Sequence, residues 1–270
     1  MPLKDLMVHL DRSERTKSRL DMAVAIARRH QARLVGVFGQ RAQPDQVGVV
    51  ASWPPAGYIA AAAASKAAFE QASAGLAQAE WLDINRGGDT ALLGRLTATA
   101  RYADLVVLGQ HDDDIDGHVP AELPEEVVAN AGRPILVVPY VGEFEPVFKR
   151  PLIAWNDSRE AAHALNEALP LIEGCDEVVV LTLDTRYEEA KASCAAVAAH
   201  LACHGIAAKT DLLVVEDTGI MDMLLSRAAD HQADLLVMGA HGQLGFPFVS
   251  RGAGTRHILR SMTVPVLMSS

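Results

Sequence analysis

The residues best placed to do chemistry stand near the C-terminus. Met238-Gly239-Ala240-His241-Gly242 is followed, after the stretch Gln243–Arg251, by Gly252-Ala253-Gly254-Thr255. Gly239 and Gly242 permit backbone torsions and close approaches that a side chain would forbid. Gly252 to Thr255 open a short helical pattern, Arg256–Arg260, so bare amide donors and the positive end of the helix dipole meet there. That chemistry is the holding of a phosphate or another polyanion. Two standard phosphate motifs do not fit. A Walker loop needs a lysine followed by Ser or Thr after its last glycine, and the dinucleotide fingerprint needs a glycine where His257 stands. His241 could touch a phosphate or polarise a water, but spacing assigns it no acidic or nucleophilic partner. Neither a GxSxG elbow nor a Cys/His nucleophile signature is present. No catalytic residue is expected, and any nucleotide hydrolysis would be slow and incidental.

Two further constellations point to metals and are outweighed. Asp112-x-Asp114-x-Asp116-Gly117 matches the opening of a calcium loop, yet the twelfth position is Leu123 instead of a bidentate glutamate. A strand leads into it where a helix should, so a solvated acidic loop is expected. His200-x-x-x-His204, with Cys203, could present ligands one helical turn apart, but no fourth partner is evident. Gly205 marks a helix end, where histidines suit the dipole.

The elements that must position the glycine loop occur twice. Leu6-Met7-Val8-His9-Leu10-Asp11-Arg12-Ser13-Glu14 is echoed by Leu152-Ile153-Ala154-Trp155-Asn156-Asp157-Ser158-Arg159-Glu160. Both are apolar strands ending in a polar elbow, with a serine placed to cap the next helix. Ala103-Asp104-Leu105-Val106-Val107-Leu108-Gly109 matches Ala233-Asp234-Leu235-Leu236-Val237-Met238-Gly239, and Arg133-Pro134-Ile135-Leu136-Val137-Val138 matches Val264-Pro265-Val266-Leu267-Met268. Three matches in one order mark two copies of one unit. Leu34–Phe38 and Val178–Leu183 read as buried strands. Helical spacing recurs over Arg15–Arg28, around Ile59–Trp81, and over Ala161–Leu171, Glu188–His204 and Ile220–Ala229. The alternation predicts two doubly wound parallel sheets with right-handed crossovers. Pro139–Arg150 is the connector, giving domains 1–145 and 146–270. The segments containing Pro134 and Pro265 read as edge strands, because proline cannot donate to a central ladder. Ligands in such sheets bind beyond the carboxyl ends of strands, here after Trp155, Leu183 and Met238.

Composition bounds the function. The chain has 270 residues, with 34 acidic against 24 basic side chains, a net charge of −10. A phosphate-backbone binder needs a cationic face, so nucleic acid and anionic membranes are not expected partners. Half of the residues are hydrophobic and only 5% aromatic, as in ordinary globular proteins. Cys175, Cys194 and Cys203 form no CxxC and are an odd set, which argues for a reducing compartment. With no signal peptide or membrane-length apolar run read from the sequence, a cytoplasmic location is expected.

On these residues the chain resembles the universal stress protein family in its tandem form. Nucleotide-binding members carry G-x2-G-x9-G-[S/T]; Gly239, Gly242 and Gly252 satisfy that spacing, and the elbows, the "ADL" strands and the "RPILVVP" segment extend the resemblance over nearly the whole chain. The resemblance implies ATP, with magnesium, in the second half. Adenine would lie near Ala154, Asn156 and Leu183, and ribose and phosphates would run over Met238, Gly239, Gly242, Gly252, Ala253 and Gly254, with Thr255 and His241 adjoining. Ala253 stands where the family has a hydroxyl, and Asn156 where it has an acid that Asp11 keeps in the first half. One lost hydrogen bond to a charged group is worth about 1.5–3 kcal/mol, so a weak site is expected. After Gly109 the first half reads Gln110-His111-Asp112-Asp113-Asp114-Ile115-Asp116, without a second glycine cluster, and those carboxylates would repel an anion. The expected function is a nucleotide-responsive stress protein whose occupancy alters a surface for an unknown protein partner. The two halves would pair through their final strands, with a homodimer as a further level of assembly. The alternative is a ligand-free adaptor in which both sites are degenerate.

Overall fold

A computed structural model describes residues 2–42, 45–47, 50–52, 54–84, 88–112, 117–184, 187–214, 219–240 and 252–270. The chain divides into two compact units, Pro2–Arg133 and Pro134–Ser270.

In the first unit, strands β1 (Asp5–Leu10), β2 (Arg33–Phe38), β5 (Ala79–Asp83) and β6 (Leu105–Gly109) form a parallel sheet in the order β6-β1-β2-β5. Its central strands are almost wholly buried, which is why they read as unbroken apolar runs. Helices α1 (Thr16–His30), α2 (Ala56–Ala72), α3 (Asp89–Ala100) and α4 (Leu123–Asn130) supply the crossovers, and a short antiparallel pair, β3 (Asp45–Val47) with β4 (Val50–Ser52), precedes α2. The helix expected to reach Trp81 stops at Ala72. Ser73 ends it, its hydroxyl bonded back to the Phe69 carbonyl, and Trp81 belongs to β5. Alanine-rich spacing ran on past a true stop because the turn at Ser73–Gln78 carries no proline. Phe69 packs against Gly36 of β2, where a Cβ would come within 2.5 Å of the ring.

In the second unit, β8 (Pro151–Ala154), β9 (Val178–Asp184), β10 (Ala208–Val214), β11 (Leu235–Gly239) and β12 (Val266–Ser269) are parallel, in the order β10-β9-β8-β11-β12. Helices α5 (Arg159–Ile172), α6 (Tyr187–Cys203), α7 (Ile220–Asp230) and α8 (Ala253–Ser261) connect them. The strand β7 (Ile135–Val138) joins this unit and runs antiparallel to β12, with Val137 opposite Val266 and Ile135 opposite Met268. β12 is therefore an interior strand, not an edge. Pro265 causes no loss there because it precedes the ladder and contributes its carbonyl, which accepts from Leu236 N–H at 2.9 Å.

The repeated aspartates have a structural task. Asp104 Oδ2 accepts from the amides of Lys4 and Asp5, at 2.7 and 3.0 Å, and Asp234 accepts in the same way from Lys149 and Arg150. Asp104 thereby pins the entry of β1 to that of β6, and Asp234 the entry of β8 to that of β11. The recurring Ala-Asp-Leu thus sets register, so that the strands end level with one another at the carboxyl edge.

Candidate functional site

Both units place a polar elbow at that edge. The registers Leu6↔Leu105 and Pro151↔Leu235 set Asp11 and Asn156 at equivalent positions, since Leu105 and Leu235 are repeat mates. The local geometry agrees. Asn156 Oδ1 accepts from the Ser158 amide at 3.3 Å and from its hydroxyl at 2.6 Å; Asp11 Oδ1 accepts from the Ser13 amide at 2.8 Å and its hydroxyl at 2.5 Å. Such a turn keeps the side chain folded over its own backbone. The expected serine cap holds in the second unit, where Ser158 Oγ accepts from Ala161 N–H at 3.1 Å. In the first unit α1 has no side-chain cap, and Ser13 serves Asp11 instead.

The second-unit elbow is braced from β9 and α6. Thr182 donates to the Trp155 carbonyl at 2.9 Å, Trp155 Nε1 donates to Ser193 Oγ at 2.8 Å, and Ser193 passes its own proton toward Asp157 at 3.2 Å. Asp157 holds a left-handed backbone, φ +59°, which the short polar side chain tolerates. Burial pushes the neighbouring Cys194 thiol up, against the opposing contact with Thr182, and leaves it a buried core group.

Of the residues expected around a ligand, Ala154 and Met238 are direct register partners across β8 and β11, and β9 carries Leu183 to the same carboxyl edge. Ala154, Leu183 and Gly239 are partly exposed, Asn156 is exposed, and Met238 is buried. Gly239 is required sterically: a Cβ there would stand 2.6 Å from the Ala161 nitrogen and the Glu160 carbonyl carbon. The first turn of α5 lies directly on it. The next amide, Ala240 N–H, is engaged by the Ser269 carbonyl at 2.7 Å and is not available to a ligand. At the other end of the motif Gly252 caps α8 with φ +85°, a conformation that glycine adopts without strain. Ala253 and Gly254 stand in the first turn of α8, where backbone amides lack an acceptor within the helix. Ala253 and Gly254 are partly exposed and Thr255 is buried. His241 and Gly242 lie outside the described residues.

The first unit differs in one residue that sequence reasoning did not single out. Arg19, from α1, reaches the elbow and donates through Nη2 to Asp11 Oδ2 at 2.8 Å and to Thr16 Oγ1 at 2.8 Å. Both side chains of the pair are 6% exposed. Nη1 lies against Gly109, only 2.0 Å from where a Cβ would stand, so the guanidinium fills the gap between elbow and glycine strand. Burial by itself would raise the Asp11 pKa, but Arg19, with Ser13 and Thr16, holds this carboxyl far below the usual range. His9, also fully buried, donates through Nε2 to the Gly39 carbonyl at 2.8 Å, and burial pushes its pKa down. Alignment of the two repeats could have flagged Arg19, since the same offset sets it against buried Ala164. Arg41 ties three segments of this unit together: its amide donates to the His118 carbonyl at 2.6 Å and its guanidinium to the Gly117 carbonyl and to Asp89.

Asp113 to Asp116 fall outside the described residues. His200 and His204 meet ring edge to face at 4.8 Å, and His200 contacts Asn166 at 3.3 Å. Among the described residues no three His, Cys, Asp or Glu side chains converge as metal ligands, and no helix is long and apolar enough to cross a membrane.

Two repeats of a parallel α/β sheet, each with a polar elbow and a strand-ending glycine, Gly109 or Gly239, at the carboxyl edge, define a tandem α/β protein. The model of the universal stress protein family matches residues 2–139 and again residues 148–270, and the chain belongs to that family. It is similar in fold to a universal stress protein from Archaeoglobus fulgidus DSM 4304, with TM-score 0.73, 16% identity, and coverage of 98% of this chain and 96% of that one. A structure from Pseudomonas aeruginosa UCBPP-PA14, described under the same family name, matches with TM-score 0.58 and 14% identity over 99% of this chain and 93% of that one. A search among curated proteins found no match.

Proposed function

We propose that the second unit binds an adenine nucleotide weakly, and that occupancy changes the surface this stress protein offers to a protein partner. The observation that carries the reading is Gly252: the last glycine of the G-x2-G-x9-G spacing caps α8 in a left-handed conformation, directly before the first-turn residues Ala253 and Gly254. Their amides, with the dipole behind them, suit a phosphate. The side of the site nearest Ala154, Leu183 and Met238 is apolar enough to receive a base, and the exposed Asn156 amide can donate to ribose or adenine. Magnesium would be carried in with the phosphates.

The absent hydroxyl at Ala253 and the internal bond of Ala240 N–H both support modest affinity. We read the site as one of sensing, at work in the cytoplasm, with any hydrolysis incidental. Titration calorimetry of the full chain with magnesium–ATP tests it. Saturable heat with one ligand per chain is the expected result, and no heat at millimolar ATP would leave the adaptor alternative standing.

A further inference from the structure

We infer that Arg19 is an internal occupant of the first unit, a built-in side-chain ligand that keeps its crevice shut and limits the chain to one nucleoside-type site. Three observations converge. The elbow turn is conserved in form between the units, down to the paired bonds from Ser13 to Asp11 and from Ser158 to Asn156. At equivalent helix positions stand Arg19 and Ala164, both buried, so one unit has a long cationic side chain where the other has a methyl group. The guanidinium sits between the elbow acid and Gly109, bonding Asp11 on one side and touching the glycine on the other. This is the gap between the first and fourth strands, where a ligand of a parallel sheet must enter.

Arg19 is held there and is not a swinging arm. Its Nη2 has two partners at 2.8 Å, and its Nε is buried without a hydrogen-bond partner. That orphaned donor is a cost of the buried pose, so what holds the side chain is the charged pair with Asp11 and the bond to Thr16. The acid retained at Asp11 is thus committed to an internal cation and unavailable to a ribose. The inference rests on the nucleotide reading of the second unit only for the choice of probe.

Equilibrium dialysis of the full chain against labelled adenosine provides the test. Adenosine is uncharged, so the acidic residues after Gly109 do not repel it. Three chains are compared: the parent, Asp11→Asn with Arg19→Ala, which reproduces the second unit's pair, and Asp11→Asn with Arg19→Met, which keeps the bulk. The first double variant is expected to bind one more adenosine per chain than the parent, and the methionine variant none. An unchanged count in a folded alanine variant, or a gained site in the methionine variant, overturns the assignment. If the parent binds no adenosine at all, the second-unit reading fails while a count rising from zero to one still upholds this one. Should the alanine variant not fold, phenylglyoxal footprinting of the parent decides. Arg19 remaining unmodified with and without millimolar adenosine is the expected result, and adenosine-dependent modification would show a displaceable arm and sink the idea.

Discussion

Arg19 Nη2 and Asp11 Oδ2 meet at 2.8 Å with 6% of each side chain exposed, so the acid of the first elbow is answered from within its own unit. Breaking one member of such a pair strands the other. Arg19→Ala should destabilise the chain by about 3–5 kcal/mol, because Asp11 is left as an uncompensated buried charge. Adding Asp11→Asn should recover a large part of that loss, and urea unfolding of the two variants measures it. Equal stability of the single and double variants would contradict the role given to the pair.

The same cluster imposes a pH dependence with a definite sign. His9 is held neutral by burial, its folded pKa below that of the unfolded chain, so the unfolded state takes up more protons as pH falls. Stability should therefore decline as pH drops below about 6.5, the unfolded histidine value. A second decline should follow below about pH 3.9, where unfolded carboxylates protonate while Asp11 and Asp211 stay ionised in the fold. For Asp211, burial is outweighed by His231, at 2.7 Å, and by Arg227. Chemical unfolding across this range, with His9→Asn removing the upper limb alone, checks the assignment.

Gly239→Ala should act on the packing of α5. The new methyl would meet backbone atoms at 2.6 Å, which cannot rotate away, so the helix must shift. A cost of about 1–3 kcal/mol is expected for such overpacking, read from thermal or urea unfolding. A neutral result would mean that α5 is free to slide.

Ala253→Ser tests the phosphate end directly. Restoring one hydroxyl donor should tighten magnesium–ATP by about one to two orders of magnitude, since a bond to a charged group is worth about 1.5–3 kcal/mol. Calorimetry of parent and variant gives the ratio, and an unchanged affinity would place the phosphates away from the start of α8. Gly252→Val should weaken binding and also cost on the order of 1–2 kcal/mol of stability, because φ is +85° there.

Much of this was legible in the residues themselves. Two repeats, the parallel α/β class, the serine cap of α5 and the glycine spacing all follow from local rules of period, capping and turn chemistry, which act over a few residues and so leave a mark in the chain. Other features depend on what lies opposite, and no spacing could reveal them. That β7 runs antiparallel to β12 turned Pro265 from an edge marker into the residue before an interior ladder. Trp81 left a helical pattern for a strand because β2 offered it a partner. Arg19 read as one more polar residue on a helix until the fold set its guanidinium between Asp11 and Gly109, residues far apart along the chain but brought together across the sheet. The sequence by itself determined the two units and the glycine spacing of the second; the tertiary structure alone decided which crevice is filled, because occupancy of a gap is a property of side chains converging from separate elements.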